Sequence, residues 1–248
     1  IIMQKRLGLI GYPLSHSHSP VIFERLLSTP SLKGIKYELF PLESLDELPQ
    51  LLKKHQDLIG FNVTIPYKNQ ILNRLTKLSP VVTDIGAVNT VKVKRNGAHY
   101  ELEGYNTDIF GFQQTLEAHH IKNKNALVFG DGGAAQAVKH ALMNKNITFE
   151  VVTRNKSGLH YKDLTPETIR NYSLLINTTP VGMHPEPENV LPIPEAGITQ
   201  DHTLIDLIYN PAETSFMKLG KKHGSKVING ALMLEKQAEK ALEIWLND

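Results

Sequence analysis

There is no cysteine among the 248 residues. Disulfides, thiolate metal ligands and a cysteine nucleophile are therefore excluded, and a reducing compartment suits the chain. An excess of one charge is missing too. The 27 Lys and Arg against 25 Asp and Glu leave a formal net charge of +2, too little to build a nucleic-acid surface. Long apolar runs are also absent: no stretch approaches the roughly 18 residues of a membrane span. The opening Ile1-Ile2-Met3-Gln4-Lys5-Arg6 puts its basic residues after a very short apolar stub, unlike a signal peptide. These absences predict a cytoplasmic protein that binds neither membrane nor nucleic acid. The 11 histidines are scattered or paired, as in His119-His120, with no His-x-x-x-His beside an acid, so no metal is expected. What remains is ordinary: 41% hydrophobic and 21% charged residues, in a chain long enough for two modest domains, each with its own core.

Short apolar runs alternate with amphipathic stretches, which predicts an α/β protein. Strands are expected over Leu7–Ile10, Tyr37–Phe40 and Leu58–Ile65. A helix is expected over Pro20–Leu27 with Ser19 as its N-cap, and another opening at Pro66. Asn96-Gly97 predicts a hairpin within Val88–Leu102. In that register Arg95 pairs with Ala98, and Asn89 falls opposite Gly104. The pattern changes near Asn106. From there, helix Ile109–His119, strand Ala126–Phe129, helix Ala134–Met143 and strands Phe149–Val152, Leu174–Ile176 and Thr203–Leu207 describe a parallel, doubly wound sheet. Five prolines between Pro180 and Pro194 make that region a loop. The chain ends in the amphipathic helix Ala231–Leu246.

Gly130-Asp131-Gly132-Gly133-Ala134-Ala135 fits G-x-G-x-x-G/A, and it follows a predicted strand and opens a predicted helix. Gly130 permits a tight turn, Gly132 lets the backbone approach a pyrophosphate, and Ala135 allows close helix–strand packing. The helix N-terminus offers N–H groups and a positive dipole end to phosphates. A glycine turn without a ligand is the plainer alternative. The carboxylate of Asp131 should repel a pyrophosphate, so its side chain is expected to point away. Glu150 has the spacing of an acid that holds the ribose of NAD, but it lies inside a strand. The strand end instead carries Thr153, Arg154, Asn155 and Lys156, a set suited to the 2′-phosphate of NADP, although a solvated basic loop would look the same.

In an extended Ser15-His16-Ser17-His18-Ser19-Pro20, the hydroxyls of Ser17 and Ser19 share a side beside a helix N-terminus, which makes a carboxylate-sized anion site. Ser19 could serve as an N-cap alone. Lys68 falls in the first turn of the helix expected from Pro66. A cation there opposes the helix dipole, so stability does not favour it, and general acid–base work is the alternative to a surface lysine. Asp108 precedes the helix from Ile109, where an acid suits the dipole. The hairpin brings Asn89 close to Asn106-Thr107-Asp108.

Taken together, His16-Ser17-His18-Ser19-Pro20, Asn62-Val63-Thr64-Ile65-Pro66-Tyr67-Lys68, Gly86-Ala87-Val88-Asn89-Thr90 and Asn106-Thr107-Asp108 resemble the shikimate dehydrogenases. So do Asn177-Thr178-Thr179-Pro180-Val181-Gly182-Met183, Asp206-Leu207-Ile208-Tyr209-Asn210-Pro211 and Gly230-Ala231-Leu232-Met233-Leu234-Glu235-Lys236-Gln237. The resemblance covers nearly the whole chain. It implies an α/β substrate domain over 1–107 plus 231–248 and an NADP-binding Rossmann domain over 108–230, with hinges near Thr107 and Gly230. It implies reversible, NADPH-dependent reduction of 3-dehydroshikimate to shikimate in aromatic amino-acid biosynthesis, by a monomer or homodimer. Lys68 and Asp108 would be the catalytic pair. Ser17 and Ser19 would hold the substrate carboxylate, with Thr64, Asn89, Tyr209 and Gln237 also on the substrate. The glycine turn from Gly130 to Ala134 would meet the pyrophosphate, Arg154 the 2′-phosphate, Thr178 and Met183 the cofactor through their loop, and Leu207 and Gly230 the nicotinamide. The chain departs from the family's pattern in three places. Phe23-Glu24 stands where many members carry His-Asn. Ile109 follows Asp108 where glycine is frequent. Gly158 takes the place of a second basic residue, for which Lys156 stands in. An NAD-linked quinate/shikimate dehydrogenase and a non-catalytic quinate or dinucleotide sensor are the competing readings.

Overall fold

A computed structural model describes residues 5–15, 17–97, 99–154 and 158–247. The chain divides into two compact units, Ile1–Thr107 with Glu235–Asp248, and Asp108–Leu234. Both are α/β.

The first unit runs β1 (Lys5–Gly11), α1 (Ser19–Leu26), β2 (Ile35–Pro41), α2 (Leu48–Lys54), β3 (Leu58–Val63), β4 (Lys77–Leu78), α3 (Pro80–Ile85), β5 (Thr90–Asn96) and β6 (His99–Tyr105). The sheet order is β2-β1-β3-β5-β6-β4. β1 runs parallel to β2 and β3, and β5 pairs antiparallel with both β3 and β6. β1 is a central strand covered on both faces, so it reads as a nearly continuous apolar run rather than an alternation. Its Ile10 joins the cluster built with Leu48, Leu52, Phe61 and Ile71. Its Leu7 joins Phe23, Ala238, Ala241 and Trp245 in a second cluster. Ala238, Ala241 and Trp245 belong to α8 (Ala231–Leu246), the last helix of the chain.

The hairpin departs from the expected register. Asn96 pairs with His99 and Arg95 with Tyr100, so the turn lies one residue later than expected. Gly97 supplies its left-handed residue at φ +61°; Ala98 lies outside the described residues. Side-chain faces are preserved, because every partner moves by two. The Asn89 N–H now donates to the Tyr105 carbonyl at 3.2 Å, which carries Asn89 to the very end of β6. Helix α2 was not anticipated. Its lead-in, Ser44-Leu45-Asp46-Glu47, is a capping box in which Glu47 Oε1 accepts the Ser44 N–H at 2.9 Å.

The second unit runs α4 (Asp108–Ala118), β7 (Asn125–Phe129), α5 (Gly133–Asn144), β8 (Thr148–Thr153), β9 (Leu159–His160), α6 (Pro166–Arg170), β10 (Leu174–Asn177), β11 (Thr203–Asp206), α7 (Ser215–Lys222) and β12 (Lys226–Ile228). The sheet order is β12-β11-β10-β7-β8-β9, parallel throughout. The chain winds outward from β7 in both directions, so β7 and β10 flank the point where the strand order reverses. This is the Rossmann arrangement, and ligands bind at the carboxyl ends of strands beside that point. Leu127, Phe129, Val152, Leu175 and Leu204 fill the core on one face.

One glycine of the first unit is there for packing. A Cβ on Gly60, in β3, would stand 2.2 Å from Cδ1 of Trp245. That indole is 4% exposed, and its Nε1–H donates to the Val91 carbonyl at 2.9 Å. Gly60→Ala is therefore expected to destabilise the protein by about 1–3 kcal/mol, the usual cost of overpacking. Urea denaturation checks this. A midpoint equal to wild type would show that the indole can move aside.

Candidate active site

In the first unit the loops that leave the carboxyl ends of β1, β2 and β3 are knitted together by their own backbone. The Thr64 N–H donates to Ile10, Tyr12 to Ile65 and Leu42 to Gly11, at 3.0–3.1 Å. The Tyr67 hydroxyl adds a bond to the Leu42 carbonyl at 2.7 Å. Ser17, Ser19, Thr64, Lys68 and Asn89 all stand at this end of the sheet, because β5 starts where β3 ends: the Val63 N–H donates to the Asn89 carbonyl at 2.8 Å.

Two expectations need correction here. Helix α1 begins at Ser19 itself, with His18 in the cap position and no side-chain cap there. The Ser19 N–H instead donates to Ser17 Oγ at 3.3 Å, so Ser17 does the capping, and Ser19 is buried. His16 lies outside the described residues. The second correction concerns Lys68. No α-helix opens at Pro66: residues 64–69 form successive turns, followed by a short 3₁₀ segment, Gln70–Arg74. Lys68 therefore does not stand in the first turn of an α-helix, and no α-helix dipole opposes its charge. Hydrogen bonds fix the turn instead. The Lys68 carbonyl accepts from the Val88 N–H at 2.8 Å, and Tyr67 donates to the Thr64 carbonyl at 2.9 Å. The base of the half-buried Lys68 side chain is thereby held in place.

Behind this surface lies a buried polar network with Asn89 at its centre. Asn89 Oδ1 accepts the Thr107 N–H at 2.7 Å, and Asn89 Nδ2 donates to Thr107 Oγ1 at 2.9 Å and to Gln237 Oε1 at 3.3 Å. Asn62 Nδ2 donates to the Asn89 carbonyl at 3.2 Å and to Thr90 Oγ1 at 3.1 Å. Asn62, Asn89, Thr90, Thr107 and Gln237 are all buried. Sequence reasoning missed Asn62, Thr90 and Thr107 as members. The available signal was a polar residue inside the apolar run Leu58–Val63.

In the second unit the glycine turn follows β7. Gly130 has φ +105°, and a Cβ there would stand 2.7 Å from Thr178 Oγ1, so both conformation and space require glycine. At Gly132, which caps α5, a Cβ would meet nothing within 4 Å. The protein itself therefore does not need glycine at 132, and the open backbone suits a ligand's close approach. Thr178, after β10, bonds to the Phe129 carbonyl through its N–H at 3.0 Å and its hydroxyl at 2.7 Å. This places the two loops side by side where the strand order reverses. Asp131 Oδ1 accepts from Lys139 Nζ at 2.9 Å and Gln136 Nε2 at 3.3 Å, which ties the carboxylate along α5. Gly133 and Ala134 form the first turn of that helix.

Thr153 ends β8 and is buried, while Arg154 after it is exposed. Asn155 and Lys156 lie outside the described residues. Gly158 has φ +114° and a Cβ there would stand 3.0 Å from Thr153 Cγ2, which accounts for the missing basic residue. A Cβ on Gly230 would stand 1.9 Å from the Leu207 carbonyl oxygen, so those two residues are in direct backbone contact. Met183 and half-buried Tyr209 follow β10 and β11 respectively, and Asp108 is the buried first residue of α4. Among the described residues no three His, Cys, Asp or Glu side chains gather as a metal site, and no helix is long and apolar enough to cross a membrane.

Residues 9–91 match the family model of the shikimate dehydrogenase substrate-binding domain. The chain is 39% identical to the shikimate dehydrogenase (NADP(+)) of Methanococcus maripaludis strain C7, over 97% of this chain and 91% of that one. The chain belongs to the shikimate dehydrogenase family. A solved structure of the Thermus thermophilus family member, in complex with NADP(H) and shikimate, superposes with a TM-score of 0.85 at 34% identity, covering 98% of this chain and 93% of that one. The quinate dehydrogenase of Corynebacterium glutamicum, in complex with NAD, also superposes at 0.85, but at 26% identity, over 98% and 94%. The two-domain α/β fold of the family is the fold found here.

The family motif Asp206-Leu207-Ile208-Tyr209 contains a carboxylate for which sequence reasoning had no role. Asp206 is 0% exposed at the end of β11. It accepts from Thr214 Oγ1 at 2.6 Å, Asn177 Nδ2 at 3.1 Å and the Ile208 N–H at 3.0 Å. Burial outweighs these bonds and pushes its carboxyl up to about 6, against an ordinary value of 3.8. The folded state thus holds a proton that the unfolded chain has already released, so stability falls as pH rises from about 4 to about 6. Asp206→Asn keeps an acceptor for Ile208 and Asn177 and is expected to flatten this part of the stability–pH curve. Urea denaturation between those pH values checks it; an unchanged slope would assign the dependence to other groups.

Proposed function

We propose that the chain catalyses the reversible reduction of 3-dehydroshikimate to shikimate with NADPH, as an oxidoreductase of the biosynthetic route to aromatic amino acids. The observation that carries this reading is the paired turn at the strand-order reversal, where Gly132 leaves its backbone open although no neighbour requires a glycine there. The names of the relatives add NADP and shikimate as the matching ligands.

Bound NADPH supplies the hydride. As negative charge grows on the substrate carbonyl oxygen, protonated Lys68 stabilises it and donates the proton; in reverse, neutral Lys68 removes it. Asp108 orients the lysine and accepts from a substrate hydroxyl. Ser17 and Ser19 take the carboxylate, with Thr64, Asn89, Gln237 and Tyr209 on the hydroxyls and ring. Gly130 to Ala134 receive the pyrophosphate. Thr153 and Arg154 receive the 2′-phosphate, the role the sequence also gives to Asn155 and Lys156. Thr178 and Met183 hold the cofactor through their loop, and Leu207 and Gly230 line the nicotinamide. The relatives named shikimate dehydrogenase (NADP(+)) at 34–39% identity, and exposed Arg154 at the end of β8, support shikimate and NADP over quinate and NAD.

The deciding experiment offers shikimate or quinate, each with NADP⁺ or NAD⁺, and follows the absorbance of reduced nicotinamide. Reduction with shikimate and NADP⁺ is expected; a preference for quinate with NAD⁺ would move the chain to the other branch, and no reduction would leave a binding protein. Lys68→Ala is expected to lower turnover by about 10²–10⁴-fold, the usual contribution of a general acid; turnover near wild type would remove that role from Lys68. Arg154→Ala is expected to raise KM for NADP⁺ by about tenfold or more while leaving KM for NAD⁺ little changed, because only the former loses a charge-assisted bond. Equal changes in both would remove Arg154 from the phosphate.

A further inference from the structure

The Asn89 network has an outer end that substrate contact does not explain. Tyr37, on β2, donates its hydroxyl to Asn62 Oδ1 at 2.9 Å, and its ring lies stacked on fully buried Phe23, with centroids 3.9 Å apart and planes 7° from parallel. Two backbone groups determine how the amides between are turned. The Asn89 carbonyl can only accept, so the Asn62 NH₂ faces it and Asn62 Oδ1 faces Tyr37. The Thr107 N–H can only donate, so Asn89 Oδ1 faces it and the Asn89 NH₂ faces Gln237 Oε1. Thr90 joins the two halves: its Oγ1 accepts from Asn62 Nδ2 and donates to Asn89 Oδ1, both at 3.1 Å. The bonds of Asn62 to Tyr37, to the Asn89 carbonyl and to Thr90 thus have a defined direction, and the Thr90 hydroxyl, which also lies 3.1 Å from Thr107 Oγ1, reaches Asn89, in surroundings dry enough for each bond to matter.

We propose that Tyr37 is a positioning residue for substrate binding, acting through Asn62 and Thr90 to hold the Asn89 amide, and with it the Gln237 amide, in a single donor–acceptor orientation. The inference rests on the proposed reading that Asn89 and Gln237 meet the substrate. Without the Tyr37 hydroxyl, the buried Asn62 Oδ1 loses its donor. The Asn62 amide can then tilt or turn, and the Asn89 carbonyl and Thr90 lose the partner that faces them. Phe23 has its own part in this. As an aromatic ring in the core it fixes the plane of the Tyr37 ring, and so the direction of the hydroxyl, where an imidazole would introduce polar atoms of its own.

The test is Tyr37→Phe, with wild type assayed beside it. The expected result is a five- to tenfold rise in KM for shikimate, about what one buried hydrogen bond is worth, with KM for NADP⁺ changed by less than about twofold. The Asn89 side-chain amide resonance in a ¹⁵N–¹H spectrum is expected to shift. An unchanged shikimate KM, or a parallel rise in both KM values, would overturn the proposal by reducing Tyr37 to packing. Should Tyr37→Phe fail to fold, Thr90→Val and Thr90→Ser decide the matter. The valine variant, which cuts the relay, is expected to show the same selective rise. The serine variant, which keeps the hydroxyl, is expected to bring KM back toward wild type; identical behaviour of the two would sink the relay. If wild type does not turn over shikimate, the proposed function fails separately, and the Asn89 resonance still decides whether Tyr37 orders that amide.

Discussion

The bond from the Thr107 N–H to Asn89 Oδ1, 2.7 Å long between buried groups, is the constraint on which the first unit's polar surface depends. A backbone N–H taken out of water has to find an acceptor. The sheet offers none at Thr107, because β6 has ended at Tyr105. A side chain has to supply it, and once Asn89 does so, its other amide end is committed as a donor. Gln237 is then turned in the sense that this one bond dictates, while the Asn89 carbonyl turns Asn62 and Thr90 links the two amides. A polar network built this way is ordered without rigid backbone at every point: its polar ends are oriented because their opposite ends are already in use.

The second unit meets the same problem with the opposite material. Where the first unit answers a buried backbone group with a side chain, the β7 turn removes side chains and leaves backbone open at Gly132. Gly130 is glycine because φ +105° and the nearby Thr178 leave no alternative; Gly132 is glycine with open space where its side chain would be. The difference between the two is informative. A glycine forced by packing says only that the fold needs it, whereas a glycine with empty space points outward, to something that occupies that space. The ion pair of Asp131 with Lys139 follows the same logic. The carboxylate, just ahead of α5, is compensated by a cation about two turns along that helix.

The long, strongly patterned elements were legible in the sequence: β7, α5, β8 and α8 carry the expected apolar patterning, and their ends fall within a residue or two of expectation. Three kinds of feature were not. The hairpin turn moved by one residue because Asn96 and Gly97 can each tolerate a left-handed conformation, and only strand pairing decides between them. The helix expected at Pro66 did not form. Proline at a first helical position is a permissive signal, and here backbone bonds from Val88 to Lys68 and from Tyr67 to Thr64 hold a turn in place of helical ones. The Asn89 network was out of reach for a third reason. Its members come from β2, β3, β5, the end of β6 and α8, so no local window contains more than two or three of them, and their mutual polarity exists only after folding.

The loss of the helix under Lys68 changes the argument for that residue rather than weakening it. A dipole would have acted on the lysine at every stage of the reaction, favouring the neutral form whether or not a substrate was present. Interactions of that kind bind ground state and transition state alike and do not by themselves accelerate a step. In a hydrogen-bonded turn the base of the lysine is fixed by backbone bonds that do not depend on its charge, so in the proposed reaction the field that changes is that of the developing charge on a substrate oxygen. General acid–base work in both directions needs a group that gives its proton to the oxygen as charge develops there and takes it back from the hydroxyl in reverse. A lysine freed from a permanent dipole is better suited to that requirement than one tuned by it.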